Sequence, residues 1–479
     1  MLSIAACATD IRFKDASKKD IVITQASVSD GEVAVSDDVL SALKPDEMMR
    51  VGLLLPMTGK SEKVGKALQN AALMSLFDAG YSHLVLQFYD TKGTPEGARD
   101  AAELAIRQGV ELIIGPVFAP ELRAMREKAT SAGVGIITFS SDPANVGKGV
   151  YTISTLTSQQ VERIVSHTCG QGYKRLALLA PDNATGDIIA LAAKRAIDAC
   201  GGMITKTAYY DPKTENLLPV VAKIMPKMVE ELEREKDEYI AALEKILNDP
   251  ETKVKKVHLK NPDGSFKNAT LTAEQLIAYI EKIKNAPVKR SPFEFDMLLV
   301  PEEGSKLRSF GALFAYYDLP SSIRVIGTSQ WATSRPARES ALIGGWFAGM
   351  PSAGFDNFSK RYAGLYGEKP MRIASQAYDA VALAASLAQT GGFSYSRLTD
   401  SSGFNGIDGL FRLLDNGLSE RGLTVMGVER NGFSTLSPAP KVFVNNPDVA
   451  DQTYIPEFRY SEELTAAPFD AGVTAPVAR

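Results

Sequence analysis

Side chains able to do binding chemistry gather where apolar runs stop. The run through Val51, Leu53, Leu54 and Leu55 breaks at Pro56-Met57-Thr58-Gly59. A second run, Val110 to Ile114, ends in Gly115-Pro116-Val117-Phe118, and a third, Val134 to Phe139, ends in Ser140-Ser141-Asp142. Hydroxyls and free backbone N–H groups at such strand-to-helix turns suit an anionic or carbonyl-bearing ligand. Three further runs close on Asp90, on Asn183 and on Gln330-Trp331. The candidate ligand residues are therefore Thr58, Asp90, Val117, Phe118, Ser140, Ser141, Asp142, Asn183, Gln330 and Trp331. Gly and Pro also end strands for purely local reasons, so an architectural reading stands beside the chemical one.

Covalent, metal and phosphate chemistry find no matching arrangement. Five residues separate Gly59 from Gly65, and Ala67 stands where a phosphate loop needs Ser or Thr, so the magnesium ligand is missing. There is no G-x-S-x-G, H-E-x-x-H or C-x-x-C motif, and His83, His167 and His258 are scattered. We expect no enzyme activity, no cofactor and no metal. The net charge of −4 offers no basic excess for nucleic acid. No apolar run approaches the roughly 18 residues of a transmembrane helix. Cys169 and Cys200 each fall near the end of a predicted helix on either side of one strand. In an oxidising compartment they could form a disulfide; two half-buried thiols fit the sequence equally well.

The elements that must hold these residues follow from the apolar pattern. From Arg50 to Asp142 short strands alternate with amphipathic helices, β-α-β-α-β-α-β, which implies a parallel sheet covered by helices on both faces. The grammar restarts with a helix near 157, a strand from Arg175 to Ala180, and further strands at Phe295–Gly304 and Ile323–Trp331. The predicted fold is therefore α/β, two Rossmann-like lobes. The first takes residues 50–154 and 332–400, the second 155–331 and 401–440. A charged helical insertion, 226–290, interrupts the second lobe. Its helices flank a candidate hairpin turned at Pro262-Asp263-Gly264, and Thr272 with Gln275 has the pattern of a capping box. Asn431-Gly432 predicts a second hairpin. An extended tail, 441–479, follows.

The landmarks, in order, carry a family likeness. VGLLLPMTG, ELIIGPVFAPE, IITFSSDP, KRLALLAPDNATGD, VIGTSQW and QAYDAVALA resemble the type I periplasmic-binding-protein family of the leucine-binding group, across residues 50 to about 440. Within that group the likeness is closest to the bacterial penicillin-binding protein activators of the LpoA type. The resemblance implies a non-catalytic protein that regulates peptidoglycan synthesis by docking a cell-wall synthase or another envelope partner. The alternative it implies is a solute-binding protein of a transporter or sensor for an amino acid, amide or related ligand. In amino-acid-binding members, hydroxyls after the third and fourth strands take the ligand carboxylate, and an acid from the second lobe takes the ammonium. Here Val117-Phe118 lacks the first hydroxyl, Ser140 and Ser141 keep the second, and neutral Ser329 or Gln330 falls near the acid's position. Free amino acids are thereby disfavoured, since a buried ammonium without a carboxylate is costly. Ile4-Ala5-Ala6-Cys7 resembles the end of a bacterial lipoprotein signal. That implies a partial signal over 1–6, lipidation at Cys7, a tether over 7–49 and an outer-membrane lipoprotein in the periplasm, held to the membrane only through its anchor.

Overall fold

The computed structural model describes residues 24–25, 48–80, 83–249, 254–260 and 265–443. The partial signal, Cys7, most of the tether and nearly all of the tail lie outside these residues.

The first sheet is entirely parallel and has the order β1-β3-β2-β4-β5-β6. Its strands are β1 (Thr24–Gln25), β2 (Met49–Leu55), β3 (Leu84–Asp90), β4 (Leu112–Ile114), β5 (Gly135–Thr138) and β6 (Val150–Thr152). The crossover helices are α1 (Glu62–Ala79), α2 (Pro95–Arg107) and α3 (Ala119–Ser131). Strand β2 lies at the centre, and Val51, Leu53, Leu54 and Leu55 are fully buried because helices cover both faces. Gly65 lets the first turn of α1 lie against the β2 turn, since a Cβ there would stand 2.0 Å from the Pro56 carbonyl oxygen. Thr94 starts α2 by accepting a hydrogen bond from the Gly97 amide, with Pro95 at the first helical position.

The second lobe opens with α4 (Thr157–Gly170), β7 (Arg175–Pro181), α5 (Ala184–Ala199), β8 (Met203–Tyr210) and α6 (Leu218–Ala222). The insertion supplies α7 (Val229–Leu247), β9 (Lys255–Lys260), β10 (Phe266–Leu271) and α8 (Ala273–Asn285). The lobe resumes with β11 (Met297–Leu299), α9 (Gly304–Tyr316), β12 (Arg324–Gly327), α10 (Trp331–Ser334) and β13 (Trp346–Gly349). Then follow α11 (Ser352–Tyr366), α12 (Ala374–Thr390), α13 (Tyr395–Leu398), β14 (Phe404–Gly406), β15 (Gly409–Leu413), β16 (Ser419–Arg421), β17 (Thr424–Glu429) and β18 (Gly432–Ser437). The second sheet runs β18-β17-β13-β12-β11-β7-β8, parallel from β8 to β13 and antiparallel through β17 and β18.

The α/β two-lobed fold read from the landmarks is the fold observed. Sheet membership divides the chain at other points than the expected boundaries. Strand β13 hydrogen-bonds β12 and so sits in the second sheet, although 332–400 was assigned to the first lobe. Conversely, β14–β16 form a small antiparallel sheet whose Phe411 and Leu413 pack into the first lobe's core with Phe358, Tyr362 and Leu398. The insertion is two helices and the antiparallel pair β9–β10 with its own core of Ile240, Leu243, Val257, Leu276 and Ile280, and the turn expected at Pro262-Asp263-Gly264 lies outside the described residues. Its capping box forms as read, with Thr272 and Gln275 bonding reciprocally.

Candidate functional site

The candidate cleft lies at the carboxyl ends of the parallel strands, and most of its polar groups are spent on local structure. Asp90, the last residue of β3, accepts from the amides of Met57 (2.8 Å), Thr58 (3.2 Å) and Lys92 (2.8 Å), and from the Thr58 hydroxyl at 2.6 Å. Burial pulls the Asp90 carboxyl up, but the Thr58 hydroxyl and these amides outweigh it and hold the carboxyl below its ordinary value. Asp90 is thus a knot between the ends of β2 and β3, and Thr58 is turned into that knot. Val117 is buried. Phe118 is exposed at the start of α3, its amide donating to Glu121 at 3.1 Å. Glu121 is a buried carboxylate that the sequence reading missed; it also accepts from the Thr91 hydroxyl at 2.7 Å, and burial raises its carboxyl above the ordinary range. Glu121 sits three residues into a helix with Phe118 before it, the position of a capping acid.

Ser140 is buried, and its hydroxyl accepts from the Asp142 amide at 3.3 Å. Asp142 caps the short turn Pro143–Asn145, accepting from the Ala144 amide and the Asn145 side chain. Ser141 is exposed. In the second lobe Asn183 caps α5 by accepting from the amides of Thr185 and Gly186. Gln330 is exposed. Trp331 is fully buried in the second lobe's core, its indole N–H donating to the Val300 carbonyl at 3.0 Å and its ring filling the space beside Gly327. It cannot face a ligand in the cleft. Thr58 and Asp90 are the candidate pair brought into direct contact, as are Ser140 and Asp142.

A denser polar arrangement stands where the chain passes between lobes, at 153–156, 350–351 and 422–423. The Arg421 guanidinium donates to the Ile153 carbonyl through Nη2 at 2.6 Å, and the Ser419 hydroxyl donates to the Ser154 carbonyl at 2.6 Å. The Gln159 side-chain amide donates to the Ser419 carbonyl, and the Thr155 hydroxyl to Met350 Sδ at 3.1 Å. Behind them Arg372 meets Asp408 at 2.6 Å, the Ser375 hydroxyl donates to the same carboxylate at 2.7 Å, and Asp379 accepts from the Ile407 amide at 2.6 Å. Asp379 and Asp408 are 1% and 0% exposed and Arg421 is 5% exposed, so two carboxylates and a guanidinium share one buried volume. Burial, then repulsion from Asp408, pushes the Asp379 carboxyl up to about 7 against the pull of Arg421. Burial lowers the Arg421 guanidinium, which the two carboxylates oppose. The lone acid in the apolar helix ASQAYDAVALAASLAQT was the sequence signal for this cluster.

Cys169 and Cys200 are joined in a disulfide, with Cα atoms 6.4 Å apart, which ties the end of α4 to the end of α5. Away from the strand ends, a surface cavity of about 260 Å³ lies between α1 and α12, lined by Ser75, Asp78, Tyr378, Gln389 and small side chains. Its Asp78 carboxylate is engaged by Arg361 and Tyr378. Among the described residues no cluster of three or more His, Cys, Asp or Glu could hold a metal ion, and no helix is long and apolar enough to cross a membrane.

Two sheet lobes, the first parallel and the second mixed, are joined by three chain crossings, and residues 49–229 match the family described as periplasmic binding protein. Solved structures share the fold at low identity. A structure from Rhodospirillum rubrum assigned to branched-chain amino acid ABC transport has a TM-score of 0.60 at 16% identity, covering 81% of this chain and 100% of that one. The branched-chain amino acid ABC transporter periplasmic ligand-binding protein of Burkholderia xenovorans LB400 gives 0.55 at 14%, covering 82% and 96%. By sequence the chain is 23% identical over 182 residues to an uncharacterized protein of Rickettsia prowazekii, 38% of this chain and 48% of that protein. It is 24% identical over 155 residues to penicillin-binding protein activator LpoA of Vibrio cholerae, 31% of this chain and 25% of LpoA. The chain thus spans about half the length of the first relative and a quarter of the second.

Proposed function

We propose that this protein is a non-catalytic, binding-protein-like lipoprotein of the bacterial periplasm that regulates peptidoglycan synthesis by docking a penicillin-binding protein. The observation that carries the reading is the state of the cleft. Thr58, Asp90, Asp142 and Asn183 are committed to turns and caps, and Trp331 is core. A small ligand would have to displace those bonds before making its own, so the lobes serve better as a scaffold for surface recognition. The similarity to LpoA supports the choice of partner, and the disulfide supports an oxidising compartment such as the periplasm. The outer-membrane anchor at Cys7 is part of the same proposal.

The test is a pull-down from bacterial envelope extract with this chain as bait, developed with fluorescent penicillin. A labelled band retained at physiological salt supports the proposal; a lane without one overturns it.

The second reading, a solute-binding protein, is favoured by the exposed Ser141 beside Ser140 at the end of β5 and by the exposed Gln330. A ligand bound only by the native state raises the melting temperature. A thermal-shift screen of amino acids, amides and muropeptides in which one compound raises the midpoint by several degrees would establish it.

A further inference from the structure

Among the described residues one face of the insertion's sheet is open apart from its corner, where the Phe266 ring meets Tyr239 of α7 edge-on with centroids 5.8 Å apart. Strands β9 and β10 pair only with each other among the described residues, and α7 and α8 cover one side of the pair through Val257, Ile240, Leu243, Leu276 and Ile280. Alternation along the strands sends Lys256, His258, Lys260, Phe266, Asn268 and Thr270 to the other side, where all six are exposed. The register sets Lys256 opposite Thr270, His258 opposite Asn268 and Lys260 opposite Phe266. This is a single continuous face, Phe266 being 54% exposed at its corner.

Charge on the strands has one sign. The described residues 254–260 and 265–271 include four lysines and one histidine and no carboxylate, while α7 mixes Glu230, Glu231, Glu233, Glu235, Asp237, Glu238 and Glu244 with Arg234, Lys236 and Lys245. Among the described residues no carboxylate on the sheet face offsets Lys256 and Lys260. One edge of the sheet is also closed. The Tyr239 hydroxyl donates to the His258 carbonyl at 2.6 Å and accepts from the Lys260 amide at 3.2 Å, so the outer edge of β9 is capped. The strand that remains to receive a neighbour is β10.

We infer that this sheet face is a docking site for an acidic polypeptide segment that lies extended beside β10, with long carboxylate side chains reaching across Phe266, Asn268 and Thr270 to Lys256 and Lys260 on β9. Charge complementarity selects the partner's sign. An extended segment turns every second side chain to one face, about 6.6 Å apart, the same repeat that spaces Lys256, His258 and Lys260. Addition of an extended segment to an open sheet edge supplies main-chain hydrogen bonds, and the lysines one strand further in supply the charge attraction. A lipid surface fits less well, since the face offers one apolar side chain, Phe266, to enter a bilayer. The inference deepens the docking function proposed above by naming the face and the chemistry of what it meets, and it rests on that reading for its biological setting.

The experiment uses the full chain and a fluorescein-labelled peptide of alternating glutamate and threonine, read by anisotropy, with a glutamine-threonine peptide and anionic phosphatidylglycerol vesicles as the other arms. Lys256→Glu/Lys260→Glu is compared with Lys63→Glu/Lys66→Glu, exposed lysines on α1. Circular dichroism checks that both variants remain folded. The expected result is binding of the acidic peptide alone, weakened by salt, lost by about tenfold or more in the hairpin variant and kept in the α1 variant. Absence of peptide binding, equal loss in both variants, or hairpin-dependent binding to vesicles without peptide binding each overturns the inference. None of these readouts uses a penicillin-binding protein, so failure of the proposed partner and failure of this face are told apart.

Discussion

Replacing Asp379 by Asn keeps the size of a buried side chain and removes its titration. In the folded protein the carboxyl is pushed from its ordinary 3.8 up to about 7 by burial and by Asp408, against Arg421 and the amides of Ile407 and Asp408. Below pH 3.8 the group is protonated in both folded and unfolded chains and contributes nothing to the pH dependence. Between 3.8 and 7 the folded chain holds a proton that the unfolded chain has released, so stability falls as the pH rises; above 7 the loss is constant. At about 1.4 kcal/mol per unit over roughly three units, wild type loses about 4 kcal/mol relative to the variant between pH 4 and pH 7.5. An Asn side-chain oxygen can keep the 2.6 Å bond from the Ile407 amide, and Arg421 still faces Asp408 in the variant. The assay is urea unfolding of both proteins at half-unit steps across this window. Two stability curves that run parallel, within about 1 kcal/mol, would refute the assignment of Asp379 as a buried carboxyl protonated in the folded state.

Trp331→Ala removes the largest buried side chain of the second lobe and leaves the Val300 carbonyl without its indole donor, so denaturant unfolding should show a loss of about 3–5 kcal/mol. Were Trp331 a ligand platform instead, stability would be nearly unchanged. Gly186→Ala places a Cβ 1.8 Å from the Pro181 carbonyl oxygen at the start of α5; calorimetry should report a destabilisation of about 1–3 kcal/mol. Replacing Cys169 and Cys200 together by Ser opens a link across 31 residues and should lower stability by about 3–4 kcal/mol, with no free thiol detected at these two positions in unreduced, denatured wild type.

The fold was legible because buried parallel strands write themselves as short apolar runs, VGLLL and LII, and because their helices announce themselves with stops such as Gly80. Strand β6 (Val150–Thr152) was not read, being three residues between a bend and a crossing, too short to show a period. The small sheet β14–β16 was also missed. Its strands are three to five residues long and are held by lobe contacts through Phe411 and Leu413. The site was legible only as positions. Sequence could place Thr58, Asp142 and Asn183 at turns; whether their oxygens face a ligand or a backbone amide depends on the turn's geometry, which one residue's type does not encode. Trp331 follows the same rule, since a Trp after a strand-ending Ser-Gln reads as a rim residue until Gly327 is seen to make room for its ring. The crossing cluster was out of reach for another reason. Ile153, Arg372, Asp379, Asp408 and Arg421 come together from segments as far as 268 residues apart.

The proposed docking function is tested most directly by adding the full chain to a purified bifunctional penicillin-binding protein from the same bacterium and following glycan polymerisation and cross-linking from lipid-linked precursor. A several-fold rise in either rate, saturating with added protein and absent without the synthase, is the predicted result. Unchanged rates at saturating protein, together with no detectable complex between the two, would contradict it.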